Sequence, residues 1–104
     1  MIIQINTNSK IQGSQNMEAY FTERIEDGLK HFSDYITRVE VHVSDQNGDK
    51  GGADDIQCKI EARLQGQQPV LVESREENQD KALSVAIDKM QGVMRKVKGK
   101  MQNR

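Results

Sequence analysis

Ile36-Thr-Arg-Val-Glu-Val-His-Val-Ser-Asp45 and Ile56-Gln-Cys-Lys-Ile-Glu-Ala-Arg-Leu64 are the two stretches that decide the fold. In the first, Val39, Val41 and Val43 alternate with Arg38, Glu40, His42 and Ser44. In the second, Ile56, Cys58, Ile60, Ala62 and Leu64 alternate with Gln57, Lys59, Glu61 and Arg63. Period two over this length places the apolar members on one side of an extended chain, so each stretch predicts a strand with one face on a core. The Gly/Asp-rich link from Asp45 to Asp55 joins them as a long connection, with its glycines free to take positive φ, and the pair should form an antiparallel hairpin.

Working outward, Gly66 marks a turn, and Val70 with Val72 begins a further strand behind Pro69, whose missing N–H suits a strand start. Ile3 and Ile5 alternate with Gln4 and Asn6, which predicts a first strand over residues 2–7. Between that strand and Ile36 the period changes. Met17, Phe21, Ile25, Leu29 and Phe32 recur at helical spacing, with Ser14 as N-cap candidate. The outer face of this helix is acidic, carrying Glu18, Glu23, Glu26 and Asp27 against Arg24 and Lys30. Residues 78–98 return to helical spacing, with Ala82, Ala86, Met90, Val93 and Val97 on one stripe, Asn78 as cap and Asp80 in the favourable first turn. Gly99 is placed to end this helix and leave residues 99–104 as a mobile basic tail. The order is β-α-β-β-β-α. It predicts an α+β fold, a four-stranded, mostly antiparallel sheet with both helices packed on one face and alternating charges on the other.

With 104 residues, a single domain over 1–104 is expected. No apolar run approaches the roughly 20 residues of a membrane span, and Met1-Ile-Ile-Gln4 lacks a basic, then apolar signal pattern, so a cytoplasmic protein is expected. Cys58 is the lone cysteine, which rules out an internal disulfide and a multi-cysteine zinc site. With no Trp and few aromatics, base stacking cannot be the main binding device.

Charge is unevenly spread. Residues 78–104 hold seven basic side chains against two acidic ones, whereas the rest of the chain holds eight against fourteen. The last ten residues contain five cations and no anion. Cations near a helix C-terminus also match the helix dipole, but five in ten residues exceed what one dipole uses. Lys89, Arg95, Lys96, Lys98, Lys100 and Arg104 are therefore the candidate contacts to a polyanion such as RNA, whose phosphates reward each cation by counterion release. Asp45 to Gly51 imitates the start of a calcium loop, but Lys50 and Ile56 stand where that loop needs its glycine and its bidentate Glu, so no metal site is expected. Strand parity sends His42 and Cys58 to opposite faces, His31 reads as a polar neighbour of Phe32, and no nucleophile, base and oxyanion-donor set can be assembled. The chain reads as a non-enzyme without a cofactor. On the outer sheet face Lys59, Glu61 and Arg63 should form cross-strand ion pairs with Arg38 and Glu40.

The runs Ile36 to Asp45, Gly51-Gly-Ala-Asp-Asp55, Cys58-Lys-Ile-Glu-Ala-Arg63 and Gln68-Pro-Val70 resemble short ribosome-associated proteins of the hibernation-promoting factor family, which includes the ribosome-associated inhibitor and was once described as sigma-54 modulation proteins. The resemblance spans essentially the whole chain. It implies a fold similar to double-stranded RNA-binding domains and a factor that enters the decoding region of the small ribosomal subunit under stress or in stationary phase, occupies the space of mRNA and tRNA, and keeps ribosomes idle. It also implies contact with 16S ribosomal RNA through basic residues on and around the helices, for which Lys89, Arg95, Lys96, Lys98 and Lys100 are the matching stretch. Two departures stand out: Asp80 is followed by Ala82 where relatives carry an aromatic, and the first helix is acidic where relatives often carry cations. The segment from Lys89 to Arg104 must then supply more of the attraction than in relatives with a basic first helix. The free protein is expected to be a monomer. The alternative is an interaction module that lays the same basic helix on an acidic protein.

Overall fold

In a computed structural model, which describes residues 1–7, 15–45 and 56–102, the chain forms β1 (Ile2–Thr7), α1 (Gln15–Leu29), a 3-10 turn (Lys30–Phe32), β2 (Ile36–Asp45), β3 (Ile56–Leu64), β4 (Val70–Glu76) and α2 (Gln79–Gln102). The strands lie in the order β1-β2-β3-β4. β1 runs parallel to β2, with α1 as the crossover, and the other two pairings are antiparallel.

The alternations become the two faces of this sheet. Val39, Val41, Val43, Cys58, Ile60, Ala62 and Val72 are buried beneath the helices. Phe21, Ile25 and Leu29 of α1 and Leu83, Ala86, Met90 and Met94 of α2 close over them. The final step of the first stripe, from Leu29 to Phe32, spans three residues, and there the α-helix gives way to a 3-10 turn whose period is about three. Phe32 thereby stays on the buried side.

Two glycines are fixed by geometry. Gly66 turns the chain at φ 72° between β3 and β4. Gly28 sits against α2 with no room for a side chain: a Cβ there would lie 2.7 Å from Ile87 Cγ2. Beside it, the Gln91 Nε2 amide donates to the Gly28 carbonyl at 2.9 Å, satisfying an oxygen near the end of α1. Asn78 caps α2, its Oδ1 accepting the Lys81 amide at 2.8 Å. Ser74, buried on the inner face of β4, donates its hydroxyl to the Ala82 carbonyl at 2.6 Å and so ties the edge strand to the first turns of α2.

Two expectations change, and one strand end is filled in. α2 does not stop at Gly99 but runs on to Gln102. Val97 packs on the core, and Met101 shares a groove with Leu64, Pro69 and Val70, so tertiary contacts on both sides of Gly99 outweigh its poor helix propensity. The strand that begins at Val70 runs to Glu76, whose end the sequence reading left open, because Ser74 continues the inward-facing alternation while Glu73 and Arg75 face out. On the outer sheet face the residues directly opposite each other are like-charged, Arg38 to Arg63 and Glu40 to Glu61. The ion pairs instead run diagonally or along the strand: Arg63 to Glu40 at 3.1 Å, Arg63 to Glu61 at 3.6 Å and Arg38 to Glu40 at 3.7 Å. The proposed cap Ser14 and the link 46–55 lie outside the described residues.

Candidate nucleic-acid interface

From Lys89 onward α2 carries the cations in two groups, set by helical spacing. Lys89, Lys96 and Lys100 recur at seven and four residues and share one flank, towards β4 and the β3–β4 turn. Arg95 and Lys98, three apart, share the other flank and line a groove with His31 and Phe32 of the 3-10 turn. The predicted cations are thus divided between two sides of one helix. Arg104 lies outside the described residues.

Their states differ. The Lys89 ammonium donates to the Glu73 carbonyl at 2.8 Å and is partly committed to the edge of β4. The Lys98 ammonium sits 6.0 Å from the centroid of the Phe32 ring, a cation–π arrangement that draws the lysine back over α1's end. Arg95, Lys96 and Lys100 are exposed and make no ion pair or side-chain hydrogen bond with a described residue. Lys100 lines a second groove beside Gln67, Gln68 and Pro69.

Most cations elsewhere are already engaged, the exceptions among the described residues being Lys59 and Arg75 on the sheet. Arg24 Nη1 lies 2.9 Å from Asp80 and also donates to the Tyr20 hydroxyl, while Nη2 donates to Ser84 Oγ at 2.7 Å. Tyr20 in turn donates to Asp80 at 2.6 Å. This network crosses from α1 to α2 and explains why the first helix keeps an arginine on an otherwise acidic face. Lys30 lies 3.5 Å from Asp27. On the sheet, Arg38 hydrogen-bonds Gln4 as well as approaching Glu40, and Arg63 is held between Glu40 and Glu61. Exposed pairs of this kind add little stability, but they cancel charge that a phosphate would otherwise feel. Apart from the scattered Lys59 and Arg75, unspent positive charge among the described residues therefore gathers on the end of α2.

Cys58 is fully buried, and burial pushes its thiol up to about 12, so the reactive thiolate is disfavoured. Among the described residues no group of three or more His, Cys, Asp or Glu could hold a metal ion, and no helix is long and apolar enough to cross a membrane.

Sequence reasoning took His31 only as a polar neighbour of Phe32, took Phe32 only as part of the apolar stripe, and did not single out Gln91. Nothing local marks them, because they matter through the approach of residues 28–32 to residues 91–99. Gly28, one residue before the end of α1, was the available sign of a close helix contact.

An α+β domain with both helices on one sheet face and a cationic end to the longer helix is the class that this geometry defines. The family model described as Sigma 54 modulation protein / S30EA ribosomal protein matches residues 3–102, and the chain belongs to that family, one of ribosome-associated modulation proteins and not of enzymes. The fold is similar to that of the Thermus thermophilus Protein Y N-terminal domain, with TM-score 0.74 at 15% identity over 93% of this chain and 99% of that one. It is equally similar to a ribosomal subunit interface protein from Coxiella burnetii, with TM-score 0.75 at 14% identity over 95% of this chain and 99% of that one. No curated protein shows significant sequence similarity to the chain.

Proposed function

We propose that this protein binds the small ribosomal subunit by laying the C-terminal half of α2 on 16S ribosomal RNA in the decoding region, and so keeps ribosomes inactive in the cytoplasm under stress or in stationary phase. The observation that carries the reading is the set of exposed cations Arg95, Lys96 and Lys100, without an ion pair among the described residues, on a member of a ribosome-associated family. RNA in duplex form offers side chains little base information in its deep major groove, so shape and backbone charge decide such contacts. A helix presenting cations on both flanks suits phosphates on either side of it. The low aromatic content agrees with a backbone-reading mode rather than a stacking platform. The acidic outer face of α1 lies beside α2 on the same side of the sheet and would repel phosphates there, which favours contact at the end of α2.

Sucrose-gradient profiles of resting cells, with and without the protein, test this reading. The protein is expected in small-subunit or whole-ribosome fractions, with more idle ribosomes when it is present. A protein that stays at the top of the gradient, or that keeps its partner after nuclease has removed ribosomal RNA, would instead support capture of an acidic protein by the basic helix.

A further inference from the structure

We propose that the groove between the 3-10 turn and the end of α2 is a phosphate clamp, in which His31, Arg95 and Lys98 close on a single phosphodiester of the RNA strand. The inference deepens the proposed RNA contact and rests on it. The groove, of about 420 Å³, has walls from two elements: His31 and Phe32 on one side, Arg95, Lys98 and Gly99 on the other. Donors therefore converge from opposite sides on whatever lies between them, which a cation row along one helix face cannot achieve. Among the described residues no carboxylate lines it.

Its parts are positioned in advance. The Phe32 ring holds the Lys98 ammonium at 6.0 Å, which limits the wandering of a long side chain before an anion arrives. The Gln91 amide is occupied with the Gly28 carbonyl at 2.9 Å, so it fixes the spacing of the walls rather than competing as a ligand. Arg95 makes no ion pair with a described residue, leaving its planar fork free for the two-point contact that phosphate oxygens favour. A Cβ at Gly99 would meet nothing within 4 Å, so that wall is open to an approaching strand.

Other depressions lack this combination. A wider one on α1 sets Glu23, Glu26 and Asp27 against Arg24 and Lys30, both already paired with carboxylates, and so is net acidic. The groove beside Gln67 and Pro69 holds one cation, Lys100, over an apolar floor of Leu64, Val70 and Val97.

The test is an NMR titration of the whole protein with a short duplex RNA and, in parallel, with inorganic phosphate and with adenosine monophosphate. It is paired with small-subunit binding by the His31→Ala and Phe32→Leu variants. Saturable shifts at the His31 ring and the Gly99 amide are expected with RNA and much weaker ones with the small anions. His31→Ala should weaken subunit binding by about tenfold, the scale of one charge-assisted hydrogen bond, and Phe32→Leu by less. RNA that shifts Lys96 and Lys100 while leaving His31 and Gly99 still would overturn the clamp and spare the wider reading. Phosphate or adenosine monophosphate binding as tightly as RNA would make the groove a small-anion site and overturn its assignment to RNA. RNA that shifts no residue at all would remove both the clamp and the proposed function.

Discussion

Replacing Arg95, Lys96, Lys98 and Lys100 together by alanine is expected to weaken binding to small ribosomal subunits by roughly 10²–10³-fold at moderate salt, and to lower the slope of log K against log salt by about 3. The size follows from counterion release: each phosphate that a cation neutralises frees condensed ions, and the four positions hold most of the unspent positive charge on the described surface. Alanine is the best helix former, so α2 should persist, and the contacts that hold it, Met90, Met94 and Val97, are untouched. The cost to the fold should be limited to the Lys98–Phe32 contact, about 0.5–1 kcal/mol. Subunit binding across a salt series, with circular dichroism as the check on folding, measures both. Unchanged affinity in a folded variant would mean that another surface binds.

Truncating Phe21 to alanine should lower stability by about 3–5 kcal/mol, the range for removing a buried aromatic ring. Phe21 is 2% exposed and packs with Ile25 and Leu29 between α1 and the sheet, where the rigid strands can close little of the resulting cavity. Against a total of about 5–15 kcal/mol for a native domain, such a loss is a large share and should lower Tm by more than about 10 °C. Glu23→Ala, two residues along on the exposed face of the same helix, should stay within about 0.5 kcal/mol. Urea unfolding with an unchanged m-value would establish that the loss is in packing. A small effect at Phe21 would mean that α1 is not seated on the sheet as described.

The elements were legible because two periods dominate the chain. Period two at Val39 to Val43 and Ile56 to Leu64, and the spacing of Met17 to Phe32, separate strand from helix without reference to tertiary contacts. Asn78 announced the start of α2 through its own chemistry. What escaped was decided by contacts at long range. Gly99 looked like a stop, but Val97 and Met101 on either side are held by other parts of the fold. The ion pairs were legible in kind and not in register: a one-residue shift between Ile36 and Arg38 sets like charges opposite, so Arg63 reaches Glu40 along the diagonal.

The candidate site shows the same division. Lys89 to Lys100 were visible as a charge run, but their sorting onto two flanks needed the helix to be seated, and the commitment of Lys89 to the Glu73 carbonyl needed β4 beside it. The groove at His31 lies beyond local reading, since its walls are separated by about two-thirds of the chain and meet because Gly28 lets the helices approach. Arg24 gave the opposite surprise: a cation available in sequence is bound to Tyr20, Asp80 and Ser84. That network strengthens the inference that α2, rather than α1, must meet the RNA.

The most direct test of the central claim is co-sedimentation of the wild-type protein with purified small subunits across a salt series. Binding at low salt, preference for the small over the large subunit, and a log–log slope of about −3 or steeper are predicted. Failure to bind at low salt, or affinity indifferent to salt, would contradict the account.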